Sequence, residues 1–409
     1  MLSPRSASYT NGSRPWRSPW IVDFAIVTIA IVTGTFYREP YAFMRPQFWA
    51  EDGTILFLQS YVDGWAAILR PYAGYFELYQ RLVAAVVALL SVRLAPAGYL
   101  VGNVIAQLVV GWLCLSPRLP MPRWARIAAG AAVTLAPAQN EVFNTLINSQ
   151  WILALAPLVV LAYDRPRTRG QAALDLVVVL LAGLSGPFSV IYLPLFLAKA
   201  VVLRSRWHAW SMFAANLACA FVQSRHMAYS RTEGAAVASV EHLRVVNGVF
   251  GHIVAGRWGR PAPESPTING VLFCSVILFV AVLAYRACSA HRGAALLFLA
   301  AGVSVVAATL YAFRSNPTPL VTYGNRYWYI PTVTVVWTVL ALWDHTRPAL
   351  RQPGLTAVLL LATGSFLQDA QTATSASFDL NWPEASRCIG TQHPCVVPLN
   401  PPGWSFTIP

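Results

Sequence analysis

The sequence predicts an all-α polytopic membrane protein of about 11 transmembrane helices, with interfacial helices in its first long loop. Three observations predict it. The 409 residues are 56% hydrophobic and 11% charged, with a mean hydropathy of +0.52, a balance no water-soluble globule can bury. The apolar residues come in runs near the ~20 residues that a helix needs to cross a ~30 Å hydrocarbon core. The cations, all arginine except Lys199, fall mostly in short loops between those runs, as the positive-inside pattern requires. That placement removes nucleic acid as a partner, because the net charge of +13 is dispersed over loops rather than gathered in a groove.

Residues 1–19 are a polar, Arg-bearing leader. The apolar run behind them is long enough to stay in the membrane as the first span rather than leave as a signal peptide. The membrane domain covers 20–367, with spans expected at 20–37, 97–115, 125–138, 151–163, 171–184, 188–203, 208–222, 270–285, 293–313, 327–343 and 354–366. Segment 75–93 is apolar too, but counting it as a span would put Arg118, Arg123 and Arg126 on the side of the acidic first loop. Laid along the outer leaflet or dipped into it, 75–93 lets every later Arg-rich short loop fall on the N-terminal side. Those loops hold Arg165, Arg167 and Arg169, then Arg204 and Arg206, Arg286 and Arg292, and Arg347 and Arg351. The N-terminus is then cytoplasmic. Outside lie the long loops 38–96, 137–150, 223–269 and 314–326, and the polar tail 368–409. Carboxylates are costly in lipid, and none is expected in mid-span.

Of six cysteines, Cys114, Cys219, Cys274 and Cys288 fall in or beside apolar runs and read as small hydrophobes. Cys388 and Cys395 stand in the Pro-rich tail at the spacing of a small disulfide loop, suited to an oxidising compartment. The sequence shows no internal repeat, no Gly-rich phosphate loop and no cluster of metal ligands, which lowers the transporter, ATPase and metalloenzyme readings. No cofactor is implied, and a divalent metal stays open.

The residues that carry chemistry gather in the outer loops. PQFWAEDG, 46–53, sets Glu51 and Asp52 side by side just beyond the first span. An amphipathic stretch, 54–69, and PYAGYFELYQR, 71–81, follow, the latter with Tyr75, Glu77 and Arg81. Aromatics at this depth suit the headgroup belt, which accounts for the rings but not for the carboxylates. QNEVFNTLINSQW brings Asn140, Glu141, Asn144, Asn148 and Gln150 to the same face. Such amides cap helices and bond loops. Arg326, in YGNRYWY, stands at the mouth of a late span, where an arginine can snorkel to the interface. His226 and His252, with Arg225 and Arg231, occupy the longest middle loop without the acid partners of a metal site. NPPGWSFTIP, 400–409, is too Pro-rich for helix and is expected to fold back over the outer surface, with the Trp404 ring available for stacking.

With its acidic pair directly after the first span, a juxtamembrane segment behind it, long outer loops alternating with short cytoplasmic ones and a polar outer tail, the chain resembles the GT-C superfamily. These are integral membrane glycosyltransferases that use polyprenyl-phosphate sugars, among them protein mannosyltransferases and lipid A aminoarabinose transferases. The first quarter of the chain carries the resemblance, and the tail is smaller than in many members. The resemblance implies an inverting transferase of the bacterial plasma (inner) membrane, facing the periplasm or cell exterior. It implies a polyprenyl-phosphate sugar donor and a glycan or lipid acceptor. Asp52 would be the base, with Glu51 as runner-up; Arg326, then Arg81, would hold the donor phosphate; Tyr75, Glu77, Asn148, Gln150 and His226 would line the substrates.

The chemistry agrees with that division. A sugar hydroxyl must lose its proton to one carboxylate as it attacks. A departing polyprenyl phosphate is already a weak base, so it needs no second acid, unlike the leaving group in a glycosidase. It needs fixed positive charge, best supplied by the planar fork of arginine. Two other classes stay in view. A polymerase or ligase of envelope polysaccharide would depend on Arg and His of the outer loops, and a lipid-linked glycan transporter would need a polar path through its spans. A noncatalytic scaffold would have no essential acid.

Overall fold

Helix is the one open structure that satisfies its own backbone in lipid, and the apolar part of the chain is built from it. The computed structural model describes residues 19–136, 141–202, 207–230, 289–313, 325–343 and 378–408. α1 (Pro19–Arg38) is followed by the one-turn α2 (Pro40–Met44). A π-helical turn, Asp52–Phe57, continues as α3 (Leu58–Asp63) and a 3-10 turn, Gly64–Leu69. Next come α4 (Leu78–Val87), α5 (Ala95–Cys114) and α6 (Arg123–Leu135). The short α7 (Glu141–Asn144) leads into α8 (Ser149–Leu153) and α9 (Leu155–Ala162), which are buried along nearly their whole length. α10 (Arg169–Gly183), α11 (Phe188–Val202), α12 (Trp207–Ser230), α13 (Ser289–Ala312) and α14 (Tyr329–Leu342) complete the bundle.

Three stretches among the described residues are long and apolar enough to cross a membrane: Trp20–Arg38, Val92–Cys114 and Gly293–Ala312. The expectation of about 11 spans is therefore met only in part among the described residues, and length is the reason. α6 has 13 residues and α10 and α11 have 15 each, and a 15-residue helix reaches only ~22 Å. The expected spans 270–285 and 354–366, the leader 1–18, Asn140, Arg231 and His252 lie outside the described residues. Segment 75–93 holds only the 10-residue α4, roughly 15 Å long, about half of what a crossing needs. Large apolar side chains stay exposed along α1 (Ile29, Phe36), α10 (Leu174, Val177) and α12 (Leu217, Phe221), a distribution suited to lipid tails.

The helices cross closely where side chains are small. A Cβ on Gly130 of α6 would meet the Gly111 carbonyl oxygen of α5 at 2.7 Å, and one on Gly111 would meet Ile31 of α1 at 2.6 Å. Such contacts hold membrane helices together where apolar burial from water does not. α14 then fastens to α6 through Trp337 Nε1 and Tyr329 OH, which donate to the Ala129 and Val133 carbonyls at 2.9 and 2.7 Å.

One end of the bundle carries a buried ionic cluster. Asp175 of α10, 1% exposed, accepts both arms of the Arg118 fork at 2.9 and 2.6 Å, and His208 Nε2 of α12 lies 3.1 Å from it. The Arg118 Cζ sits 4.6 Å from the Tyr163 ring centroid. The expectation of no carboxylate within an apolar run is corrected here: Asp175 is tolerated because its charge is paired and hydrogen-bonded.

The opposite end carries the acidic segment and a second correction, because the fold is not all-α. β1 (Cys395–Leu399) and β2 (Trp404–Ile408) form an antiparallel hairpin in register from Cys395↔Ile408 to Leu399↔Trp404. A Cys388–Cys395 disulfide closes the loop before it. Alternation along β1 turns Val397 and Leu399 inward, onto a core shared with Phe48, Phe57, Leu146 and Trp382. Trp404, opposite Leu399 on the same face, is 44% exposed at the end of the hairpin. Trp382→Ala, which removes about 3–5 kcal/mol of packing, is expected to open residues 378–408 to protease while leaving the helical bundle resistant. Equal protease resistance of the mutant and wild-type tails would show that the hairpin is held by other contacts.

Candidate functional site

Three outside grips shape the acidic turn before any chemistry is possible. Arg45 pairs with Asp379, and Gln47 Nε2 donates to the same carboxylate at 2.7 Å. The Ala50 N–H donates to the Asn400 carbonyl at 2.5 Å, and the Asn400 N–H to that of Phe48 at 3.2 Å. Phe48 wedges edge-on between Tyr99 and Trp382, each with its ring centroid 4.8 Å away. Ala50 sits at φ +23°, a conformation that costs a non-glycine residue on the order of 1–3 kcal/mol and persists only where surroundings hold it.

The two carboxylates then take different positions. Asp52 is 2% exposed, and its Oδ2 and Oδ1 each accept a backbone N–H at 2.8 Å, from Leu146 and Ile147 of the second loop. Burial pushes its carboxyl up to about 7, against the pull of the Ile147 and Leu146 amides. Glu51 is only half-buried. Adjacent residues on a helical turn diverge by about 100°, so one acid is committed to the scaffold and the other keeps an open face.

The second loop is held as firmly from below. Thr35 and Thr134 both donate to Gln107 Oε1, at 2.9 and 2.6 Å, and Gln107 Nε2 donates to Asn103 Oδ1 at 2.8 Å. Asn103 Nδ2 then caps the Val142 and Thr145 carbonyls at 3.0 and 2.6 Å. All four side chains are buried, so the ladder is an internal brace with both ends satisfied. Asn148 belongs to the same brace, donating to Thr145 Oγ1 at 2.8 Å.

Arg326, in the 3-10 turn Asn325–Trp328, closes the site from the far end of the chain. It pairs with Glu141 and keeps 31% of its side chain exposed. Arg81 does not: it is wholly buried, with Nη1 on Gln59 Oε1 at 2.7 Å. Glu77, one turn before it, is wholly buried too. Burial drives its carboxyl up to about 8, with Arg81 pulling down and Asp52 and Glu51 pushing up. Tyr75 OH accepts from Gln150 Nε2 at 3.4 Å. His226 lies edge-on to Phe76 at 4.5 Å, on a helix end pinned by Gln223, whose Oε1 takes the Phe76 N–H at 2.8 Å.

These residues share one electrostatic field, for the Glu51 charge acts on Asp52, Tyr72, Glu77, Glu141 and Arg326. Sequence reasoning missed Tyr72 and the Glu141 partnership of Arg326. It also missed Asn103 and Gln107, whose i, i+4 amides inside an apolar run were the available signal. Among the described residues no three His, Cys, Asp or Glu side chains converge as a metal-ligand set. The chain matches no protein-family model and no curated protein.

A raised carboxyl stabilises the fold below its unfolded value and loses that contribution as pH climbs through its folded one. For Glu77 the window runs from 4.5 to about 8. The melting temperature of Glu77→Gln minus that of wild type should therefore become more positive between pH 5 and 8. A difference that stays flat across this window would mean that Glu77 is charged throughout.

Proposed function

We propose that the chain is a GT-C-type membrane glycosyltransferase. It transfers a hexosyl or pentosyl group from a polyprenyl-phosphate carrier to a hydroxyl of a cell-envelope glycan or lipid, at the extracytoplasmic face of a bacterial plasma membrane. The observation that carries this reading is a half-buried carboxylate, Glu51, in the same field as the part-exposed guanidinium of Arg326, on a braced platform at one end of an apolar bundle.

In this reading the order of the two acids is reversed. A carboxylate that is 2% exposed and bonded through both oxygens to backbone amides has no route to a substrate hydroxyl, so Asp52 is the positioning residue. Glu51 is the base. As the acceptor oxygen attacks the anomeric carbon, Glu51 takes its proton. The bond between that carbon and the phosphate oxygen breaks, and the departing polyprenyl phosphate keeps the electron pair beside Arg326. Glu141 holds the Arg326 fork in place meanwhile. Arg81, buried on Gln59, steadies Glu77 and meets no donor. Inversion follows from the single displacement.

In this reading about 11 spans cross the bilayer, α4 lies in the outer leaflet, and the short α6, α10 and α11 thin the membrane locally. The Gln107 ladder is buried and internally bonded, so it offers no open polar path of the kind that a transporter would need.

Purified protein in nanodiscs, given a panel of radiolabelled polyprenyl-phosphate sugars and envelope extract, is expected to transfer one of them. Glu51→Gln should lower the rate by roughly 10²-fold or more with donor binding retained, the loss typical of a missing general base. Asp52→Asn should lower activity and melting temperature together. Full activity in Glu51→Gln, with Asp52→Asn inactive yet stable, would return the base to Asp52. If no donor in the panel binds and single Arg substitutions in the outer loops prove essential, the polymerase reading replaces this one.

A further inference from the structure

A second opening lies beside the acidic turn. It is a cleft of ≈ 480 Å³, counting the space at its mouth, bounded by α2, the turn before Glu51, the second loop and the start of the tail. Glu39 stands in its wall, 6% exposed, with no hydrogen bond or ion pair to its carboxylate among the described residues. Burial alone holds that carboxyl up to about 7. Asn144 adds a buried Oδ1 that likewise lacks a partner. Trp49 lines the same cleft two residues before Glu51.

A buried carboxylate that bonds to nothing costs stability, and here it faces space rather than packing. The unpartnered group in the wall is an acceptor, the Glu39 carboxylate, and it stands near an indole. The opposite wall is already satisfied, since Asp379 is taken by Arg45, Gln47 and the Asn381 N–H, which leaves Glu39 as the one unpaired carboxylate in the lining and argues against a divalent cation. Glu39 would also repel phosphate, so the lipid-phosphate donor does not belong here. Sugar hydroxyls are donors at the spacing of a ring, and the C–H face of a sugar stacks on indole.

We propose that this cleft binds a saccharide whose hydroxyls donate to Glu39 while its ring lies on Trp49. Under the transferase reading, on which this last step rests, that saccharide is the end of the acceptor, delivered beside Glu51.

The test needs no catalysis. Deacylated envelope oligosaccharides carrying a fluorophore at the reducing end are titrated with the full chain in nanodiscs, without donor, and binding is read by anisotropy. Wild type should bind. Glu39→Gln, nearly isosteric, should weaken binding by roughly tenfold or more, the value of a hydrogen bond to a charged acceptor, and Trp49→Ala should weaken it too, while both elute as monodisperse protein. No binding by wild type, or wild-type binding by both variants, overturns the proposal. Binding that depends on Glu39 in a chain that transfers no sugar upholds the saccharide site and refutes the transferase reading, so the two can fail separately.

Discussion

Everything at the acidic end depends on two hydrogen bonds, those that the Asp52 carboxylate accepts from the Leu146 and Ile147 amides. They join the first loop to the second across a dry boundary, where each bond to a charged acceptor is worth more than a neutral one and leaving it unmade costs more still. One consequence is local. With Asp52 turned inward, the helical turn carries Glu51 to the open side. The other is global, because Leu146 and Ile147 lie between Glu141, which holds Arg326, and Gln150, which reaches Tyr75.

The tail completes this constraint from above. It contributes backbone bonds to Phe48 and Ala50, side-chain packing through Trp382 and Leu399, and the Asp379 carboxylate that collects Arg45 and Gln47. Together these hold Ala50 at a positive φ that the isolated segment would abandon. Below, the Gln107 ladder braces the same second loop from within the bundle. The candidate site is thus set between a clamp and a brace, which gives precise placement to side chains that lie on loops.

Parts of this were legible in the sequence and parts were not, for physical reasons. The positions of Glu51 and Asp52 after an apolar run, the reluctance of 75–93 to span, and the spacing of Cys388 and Cys395 are local properties, and local pattern reveals them. Which of two adjacent acids is buried depends on the amides of residues 146 and 147, far off in the chain, and no local pattern reports that. The hairpin was hidden by prolines that argue against helix without arguing for strand. The pairing of Asp175 was not legible because its partners, Arg118 and His208, are distant in sequence. Glu39 was missed because a single acid at a span end reads as a boundary, and its lack of a partner is a property of the cleft.

The central claim is that Glu51 and Arg326 form one transfer site. A cryo-EM structure of the full chain in nanodiscs with a polyprenyl-phosphate sugar tests it most directly. The account places the phosphate against the Arg326 guanidinium, with the anomeric carbon on the Glu51 side and Asp52 still bonded to Leu146 and Ile147. Donor phosphate seated on Arg81, or Asp52 released from those amides and turned to the sugar, would contradict it.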